Sequence, residues 1–161
     1  MRSLSALETA AVASVAGCIL AAGAPAFVRN LHASRLAEPM DGLNHIATRA
    51  TFLAAGQPPE SAYPESVELT PSQVPQGERV VDPPGTWDHN TWRVLGFEWT
   101  VPHSYSFRFV SDRKPGYSSF TAFAHGDLDG DGVLSTFSIS GESKDGAEPI
   151  TFVMEMTREV E

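Results

Sequence analysis

The first feature of the hydrophobic pattern is a long run without charge near the N-terminus. Residues 9–28 contain no charged side chain and are bounded by Glu8 and Arg29. Twenty such residues are long enough to cross a bilayer as a helix. The run is rich in alanine and glycine, which favour close packing of one helix against another. The pattern therefore predicts a transmembrane or assembly helix over 4–28.

A periodic stretch follows this run. Apolar residues recur there mostly at helical intervals, with polar residues between them, at Leu31, Leu36, Met40, Leu43, Ile46, Ala50 and Leu53. The spacing predicts that the helix continues as an amphipathic rod over 29–56. We expect Pro25 and Pro39 to bend or interrupt it, because proline lacks the backbone donor that a helix needs. Gly56 and the prolines after it are expected to end it.

The rest of the chain contains two regions of different composition. Residues 57–91 contain seven prolines among glycine, serine and acidic residues, which predicts a long surface loop. Residues 92–161 are expected to form an antiparallel β head, because short β-type runs alternate there with glycine, proline and aspartate turns. These runs are Trp92–Trp99, Tyr105–Val110, Tyr117–Ala124, Val133–Ile139 and Ile150–Thr157.

Together these patterns predict an α+β protein. A long N-terminal α-helix, transmembrane and then amphipathic, is expected to pack on a small antiparallel β-sheet head. Alternation of Tyr105, Phe107 and Phe109 with smaller or more polar residues predicts that one face of the sheet is buried. Trp87, Trp92 and Trp99 surround the start of the sheet and are expected to belong to its core.

Composition narrows the choice of partners and chemistry. Twenty acidic and eleven basic residues give a net charge of −9, which argues against nucleic acid as a partner because a basic surface is needed to hold phosphates. The single cysteine, Cys18, excludes an intrachain disulfide. Five histidines lack the spacing of metal ligands or of a catalytic triad, and they are His32, His45, His89, His103 and His125. The sequence therefore does not predict an enzyme.

One acidic loop carries candidate chemistry. Asp127, Asp129 and Asp131 stand at alternate positions, and Gly132 occupies the sixth position, as at the start of an oxygen-rich calcium loop. The twelfth position, where an EF-hand needs glutamate, is Ser138. A helix–loop–helix site is therefore excluded, and any calcium site would be a turn between strands. The alternative is a hairpin turn in which aspartates bind local backbone and glycines supply unusual backbone angles.

The N-terminal segment resembles the type IV pilins and pseudopilins. Those proteins carry an acidic residue near the start of an apolar helix, a glycine nine residues later and a proline eight residues after that, and here these are Glu8, Gly17 and Pro25. The runs TWRVLGFEW, YSFRFV and FTAFAHGDLDGDGVLSTFSISG are similar to the C-terminal part of pilin-like proteins from deltaproteobacteria.

The resemblance implies a structural subunit of a type IV pilus or of a type II secretion pseudopilus. Its partners would be further copies or other pilin subunits, joined through the N-terminal helix, with Glu8 setting their register. The subunit would lie in the inner membrane with a periplasmic head before assembly into an extracellular pilus or a periplasmic pseudopilus. Residues 1–3 would be a leader that prepilin peptidase removes between Ser3 and Leu4, although pilin leaders normally end in glycine before phenylalanine.

Two other interpretations remain open at the N-terminus. Residues 15–18, Val-Ala-Gly-Cys, match the pattern of a lipoprotein acylated at Cys18. Alternatively, Ala22-Gly23-Ala24 or Ala24-Pro25-Ala26 could be a signal-peptidase site, which would make the mature chain a secreted calcium-binding β module. Both alternatives would remove Glu8.

Overall fold

The computed structural model describes residues 36–157 and the single positions Ser14, Cys18 and Ala21. The chain divides into two compact units, Met1–Leu36 and Ala37–Glu161. In the first unit the three single positions are helical and exposed. The second unit contains the sheet and the candidate site, and the following description concerns it.

A helix and an antiparallel sheet form the second unit. Helix α1 covers 36–54, and a 3-10 turn follows at Pro59–Ser61. The remaining elements are β1 (Val67–Thr70), α2 (Asn90–Leu95), β2 (Tyr105–Lys114), β3 (Tyr117–Gly126), β4 (Ser135–Lys144), β5 (Ile150–Thr151) and β6 (Glu155–Thr157). The strand order is β1-β2-β3-β4-β5, and β6 also pairs with β4.

The three long strands form a meander, and two of them alternate strictly between buried and more exposed residues. In β3 and in most of β4 every second residue is buried, as expected when one face of an antiparallel sheet packs on a core. Tyr105, Phe107 and Phe109 are all fully buried. The predicted burial of these three aromatic residues is therefore confirmed, although Ser106 between them is buried as well.

Helix α1 contributes one face to the core. Its buried side chains recur three or four residues apart, at Leu43, Ile46, Ala47, Ala50 and Ala54. Gly42 lies against the sheet, because a Cβ added there would come within 2.5 Å of the Phe107 ring. The missing side chain therefore lets the helix approach β2 closely.

The predicted fold class, a long N-terminal helix packed on a small sheet, is wrong. The described part of the chain is mostly a six-stranded antiparallel sheet, and the one long helix within it covers 36–54. Pro39 lies inside this helix without interrupting it.

No helix within the described residues has both the length and the apolar character needed to cross a bilayer. This finding contradicts the predicted transmembrane helix and the inner-membrane location that depended on it. Apart from Ser14, Cys18 and Ala21, the segment 4–28 lies outside the described residues.

Two local predictions also need correction. Trp92–Trp99 does not form a strand, because helix α2 occupies its first half. The His89 side chain accepts a hydrogen bond from the Thr91 amide at the start of α2, and Gly96 ends it with a positive φ of 62°; such caps stabilise even a short helix. The predicted loop 57–91 contributes strand β1 to the edge of the sheet.

The last predicted strand is also interrupted. Ile150–Thr157 is divided into β5 and β6, which pair with different parts of β4.

The prediction that three tryptophans belong to the core is confirmed for two of them. Trp92 is fully buried and Trp87 is 9% exposed. Trp99 is half-buried.

Candidate metal centre

The three predicted aspartates meet in the loop between β3 and β4. One carboxylate oxygen from each of Asp127, Asp129 and Asp131 can be chosen so that all three atoms lie within 4.8 Å of one another. The cluster could therefore hold a metal ion. Asp127 is buried, whereas the other two are exposed. As predicted, the three aspartates lie in a turn between two strands.

Backbone amides hold the buried carboxylate in place. Asp127 Oδ1 accepts a hydrogen bond from the Gly130 amide at 2.8 Å, and Asp127 Oδ2 accepts one from the Gly132 amide at 3.1 Å. Gly132 has a φ of +87°, which a residue without a Cβ adopts at little cost. The loop therefore wraps around Asp127.

The two exposed carboxylates are held in a similar way. The Asp131 amide donates to Asp129 Oδ1 at 3.2 Å, and the Val133 amide donates to Asp131 Oδ1 at 2.7 Å. In each of these aspartates the bond uses Oδ1, so that Oδ2 can bind another partner. Three carboxylates this close repel one another unless a cation or solvent screens them.

A segment about fifty residues earlier in the sequence forms backbone contacts with the acidic loop. The Gly77 amide donates to the Asp127 carbonyl at 2.8 Å, and Gln76 and Asp127 form a parallel β-bridge. The proline-rich segment is therefore attached to the acidic loop. A cation at the loop would stabilise this attachment as well as the loop itself.

His125 lies two residues before the loop on the outer face of the sheet. Its Nδ1 is 2.9 Å from Thr136 Oγ1, and its ring stacks on Phe123 with centroids 6.0 Å apart. Burial, and then the positive charge of Arg108, lower the pKa of this histidine. These contacts indicate a packing role for His125.

A buried polar network that the sequence did not indicate lies where β2 begins. His103 is fully buried, with Nδ1 2.8 Å from the Tyr105 carbonyl and Nε2 2.9 Å from Asp82 Oδ2. Both ring nitrogens of His103 therefore have an oxygen atom within hydrogen-bond distance. The Trp87 indole also donates to Asp82 Oδ2, at 2.8 Å. Neither ring nitrogen of His103 is available to a substrate.

Glu38 connects helix α1 to the same place. Its Oε1 accepts hydrogen bonds from the amides of Ser104 and Tyr105, at 2.8 and 2.9 Å, and its Oε2 is 3.6 Å from the Arg79 guanidinium. Burial raises the pKa of Glu38, while the two amides, His103 and Arg79 oppose the rise. The network thus ties α1 and the segment around residues 79–82 to the start of β2.

The other predicted site residues belong to the N-terminal segment. The assembly residues Glu8, Gly17 and Pro25 and the processing residues Ser3 and Leu4 lie outside the described residues. Cys18 has a free, exposed thiol. The assembly, cleavage and acylation predictions are therefore untested.

Comparison of the chain with protein-family models, curated proteins and solved structures gave no significant match. The resemblance to pilins therefore stays a prediction from the N-terminal residues and the sequence of the head.

Proposed function

We propose that the second unit is a non-catalytic β module whose β3–β4 loop binds Ca²⁺ through Asp127, Asp129 and Asp131. The observation that carries this proposal is the convergence of three carboxylates on one point in a loop fixed by backbone amides. Calcium takes oxygen ligands in flexible geometry and accepts both carboxylates and carbonyls. The loop supplies such ligands, and water would fill the remaining positions.

The affinity of the β3–β4 loop for Ca²⁺ is expected to be modest. The loop has no glutamate at its twelfth position to supply a bidentate ligand, and two of its aspartates are open to solvent. Sites of this kind bind calcium with dissociation constants of roughly 10⁻⁴ to 10⁻³ M. The ion would therefore act as a structural brace where calcium is plentiful rather than as a signal.

Calorimetric titration of the full chain tests the proposal. We expect one saturable Ca²⁺ site in the wild-type protein, and at least tenfold weaker binding in Asp129→Asn and Asp131→Asn, because each loses a charged ligand. Asp41→Asn is the matched control, since it removes the same charge from an exposed position on α1. Equal binding by all four proteins, or no saturable binding, would overturn the proposal.

We propose in addition that this unit is a subunit of an assembly of identical chains, which is the part of the pilin-like role that the described residues can support. Four large apolar side chains follow one another, exposed, along the β5–β6 edge of the sheet, and they are Ile150, Phe152, Val153 and Met156. Val153 is 88% exposed. Contiguous exposed apolar residues on a sheet edge favour burial against another chain.

Sedimentation velocity of the full chain tests this second proposal. Val153→Asp is expected to shift the distribution to smaller species, because a charge is poorly accommodated in an apolar interface. Val101→Asp is the control, since Val101 is also exposed, at 55%, but belongs to no strand of the sheet. If the wild-type chain and both variants sediment alike, the edge is not an assembly surface.

A further inference from the structure

A groove lies between helix α1 and strands β4 and β5. It has a volume of about 290 Å³, which is below the range of about 300 to 1,000 Å³ that is typical of small-molecule cavities. No charged side chain lines this groove, and its lining residues are Asn44, Ala47, Thr48, Thr51, Ile139 and Thr151. An uncharged groove of this size is better suited to an apolar side chain than to a whole ligand.

A projecting side chain lies next to this groove on the same edge of the sheet. Thr151, which lines the groove, pairs with Gly141 of β4, and farther along the edge Glu155 pairs with Ser138. The edge therefore has one residue more than β4 between these two pairs, as in a β-bulge. Val153 lies in this bulge and is 88% exposed. The groove and the projecting side chain are thus neighbours on one surface.

The bulge decides which kind of contact this edge makes. An irregular edge is a poor template for the backbone hydrogen bonds of an added strand. Apolar side chains that project from such an edge are instead buried by packing into a complementary recess. Phe152, which is 48% exposed beside Val153, enlarges the apolar area available to this contact.

Charge limits where two copies of this chain can meet. Each copy carries a net charge of −9, so two copies repel each other unless the surfaces in contact are uncharged. Residues 149–154 contain no charged side chain, and the groove lining contains none either. Because the groove and Val153 belong to one surface, two copies related by a two-fold axis can exchange them reciprocally.

We propose that two copies of this chain associate through a two-fold contact in which Val153 of each copy packs into the groove of the other, against Thr48. Phe152 packs at the rim of the groove. This inference rests on the proposed assembly of identical chains, and it names the contact that holds two copies together.

Disulfide cross-linking between two variants of the full chain tests this contact. Both variants carry Cys18→Ser, which removes the single native cysteine, and one adds Val153→Cys while the other adds Thr48→Cys. Neither chain contains both new thiols, so a disulfide between positions 48 and 153, identified by mass spectrometry after mild oxidation of the mixture, joins two copies. We expect this disulfide. We expect none between positions 37 and 153 when Ala37→Cys replaces Thr48→Cys, because Ala37 is exposed on α1 outside the groove.

Filling the groove is an independent test. Thr48 is exposed on α1, so Thr48→Trp should keep the fold, which circular dichroism checks, while its ring occupies the groove. We expect about tenfold weaker self-association in sedimentation equilibrium, because the groove no longer accepts Val153. Ala37→Trp adds the same ring outside the groove and should associate as the wild type does.

Two results would overturn the contact, namely no disulfide between positions 48 and 153, or self-association of Thr48→Trp as tight as that of the wild type. If Val153→Asp still gave smaller species in that case, the proposed assembly would stand and only its contact would be wrong. A wild-type chain that is monomeric throughout would reject both.

The two-fold symmetry has a test of its own. A chain with both Thr48→Cys and Val153→Cys, again with Cys18→Ser, should form covalent dimers and no larger species on a non-reducing gel. A ladder of larger covalent species would overturn the two-fold arrangement, because head-to-tail contacts continue from copy to copy.

Discussion

Three ionisable side chains from distant parts of the sequence, Glu38, Asp82 and His103, converge at the start of β2. His103 and Asp82 are separated by 21 residues, and Glu38 reaches the Tyr105 amide across 67 residues. Sequence patterns report neighbours along a helix or strand, and these contacts are of neither kind. The network could not be predicted, although its members are ordinary polar residues.

Glu38 gives a prediction about pH. Its pKa in the folded protein is raised above 4.5, chiefly by burial, so its contribution to stability is complete below pH 4.5 and is lost as the pH rises through the folded pKa. Glu38→Gln keeps an oxygen that accepts the two amide bonds but does not ionise. We therefore expect the variant to gain stability relative to the wild type between acidic and neutral pH.

Urea unfolding of both proteins at acidic and neutral pH measures this effect, since the other titrating groups are shared and cancel in the comparison. An increase in the stability of the wild type relative to Glu38→Gln over the same interval would contradict the assignment.

At the scale of elements, the sequence predicted the sheet better than the helices. The apolar alternation in β2 and β3 is regular, so their positions followed from the pattern, and the structure extends each strand by a few residues. Trp92–Trp99 was misassigned because its aromatic and β-branched residues favour a strand. The His89 cap and Gly96 override that local preference.

The contact between α1 and the sheet gives a prediction at this scale. Gly42→Ala is expected to lower the free energy of unfolding by about 1–2 kcal/mol, because the added methyl would overlap the Phe107 ring and the cost of overpacking exceeds the gain in helix propensity. Chemical denaturation measures the change.

Asn44→Ala is the matched control, since Asn44 is exposed on the same helix. It should change the stability by no more than about 0.5 kcal/mol, and then in the favourable direction. A Gly42→Ala protein at least as stable as the wild type would show that the helix does not depend on this close approach.

At the scale of the whole molecule, the hydrophobic pattern along the sequence could not predict how much of the chain is sheet and how much is helix. The short β1, β5 and β6 strands pair with the edges of the meander through backbone contacts that their sequences do not signal. The acidic loop was predictable, because its aspartates and glycines are adjacent in sequence. Its attachment to the Gly77 amide was not, because that contact spans about fifty residues.

Thermal unfolding with and without calcium is the most direct test of the central claim that the acidic loop is a calcium site. With about 10 mM Ca²⁺ and a dissociation constant of roughly 0.1–1 mM, binding stabilises the fold by about 1.4–2.7 kcal/mol. This corresponds to a rise in Tm of several degrees for a unit of this size.

We expect that rise in the wild-type chain and in Asp41→Asn, but not in Asp131→Asn, and not when sodium chloride of equal ionic strength replaces calcium. The account would be contradicted if calcium left the Tm of the wild type unchanged, or raised the Tm of Asp131→Asn by the same amount.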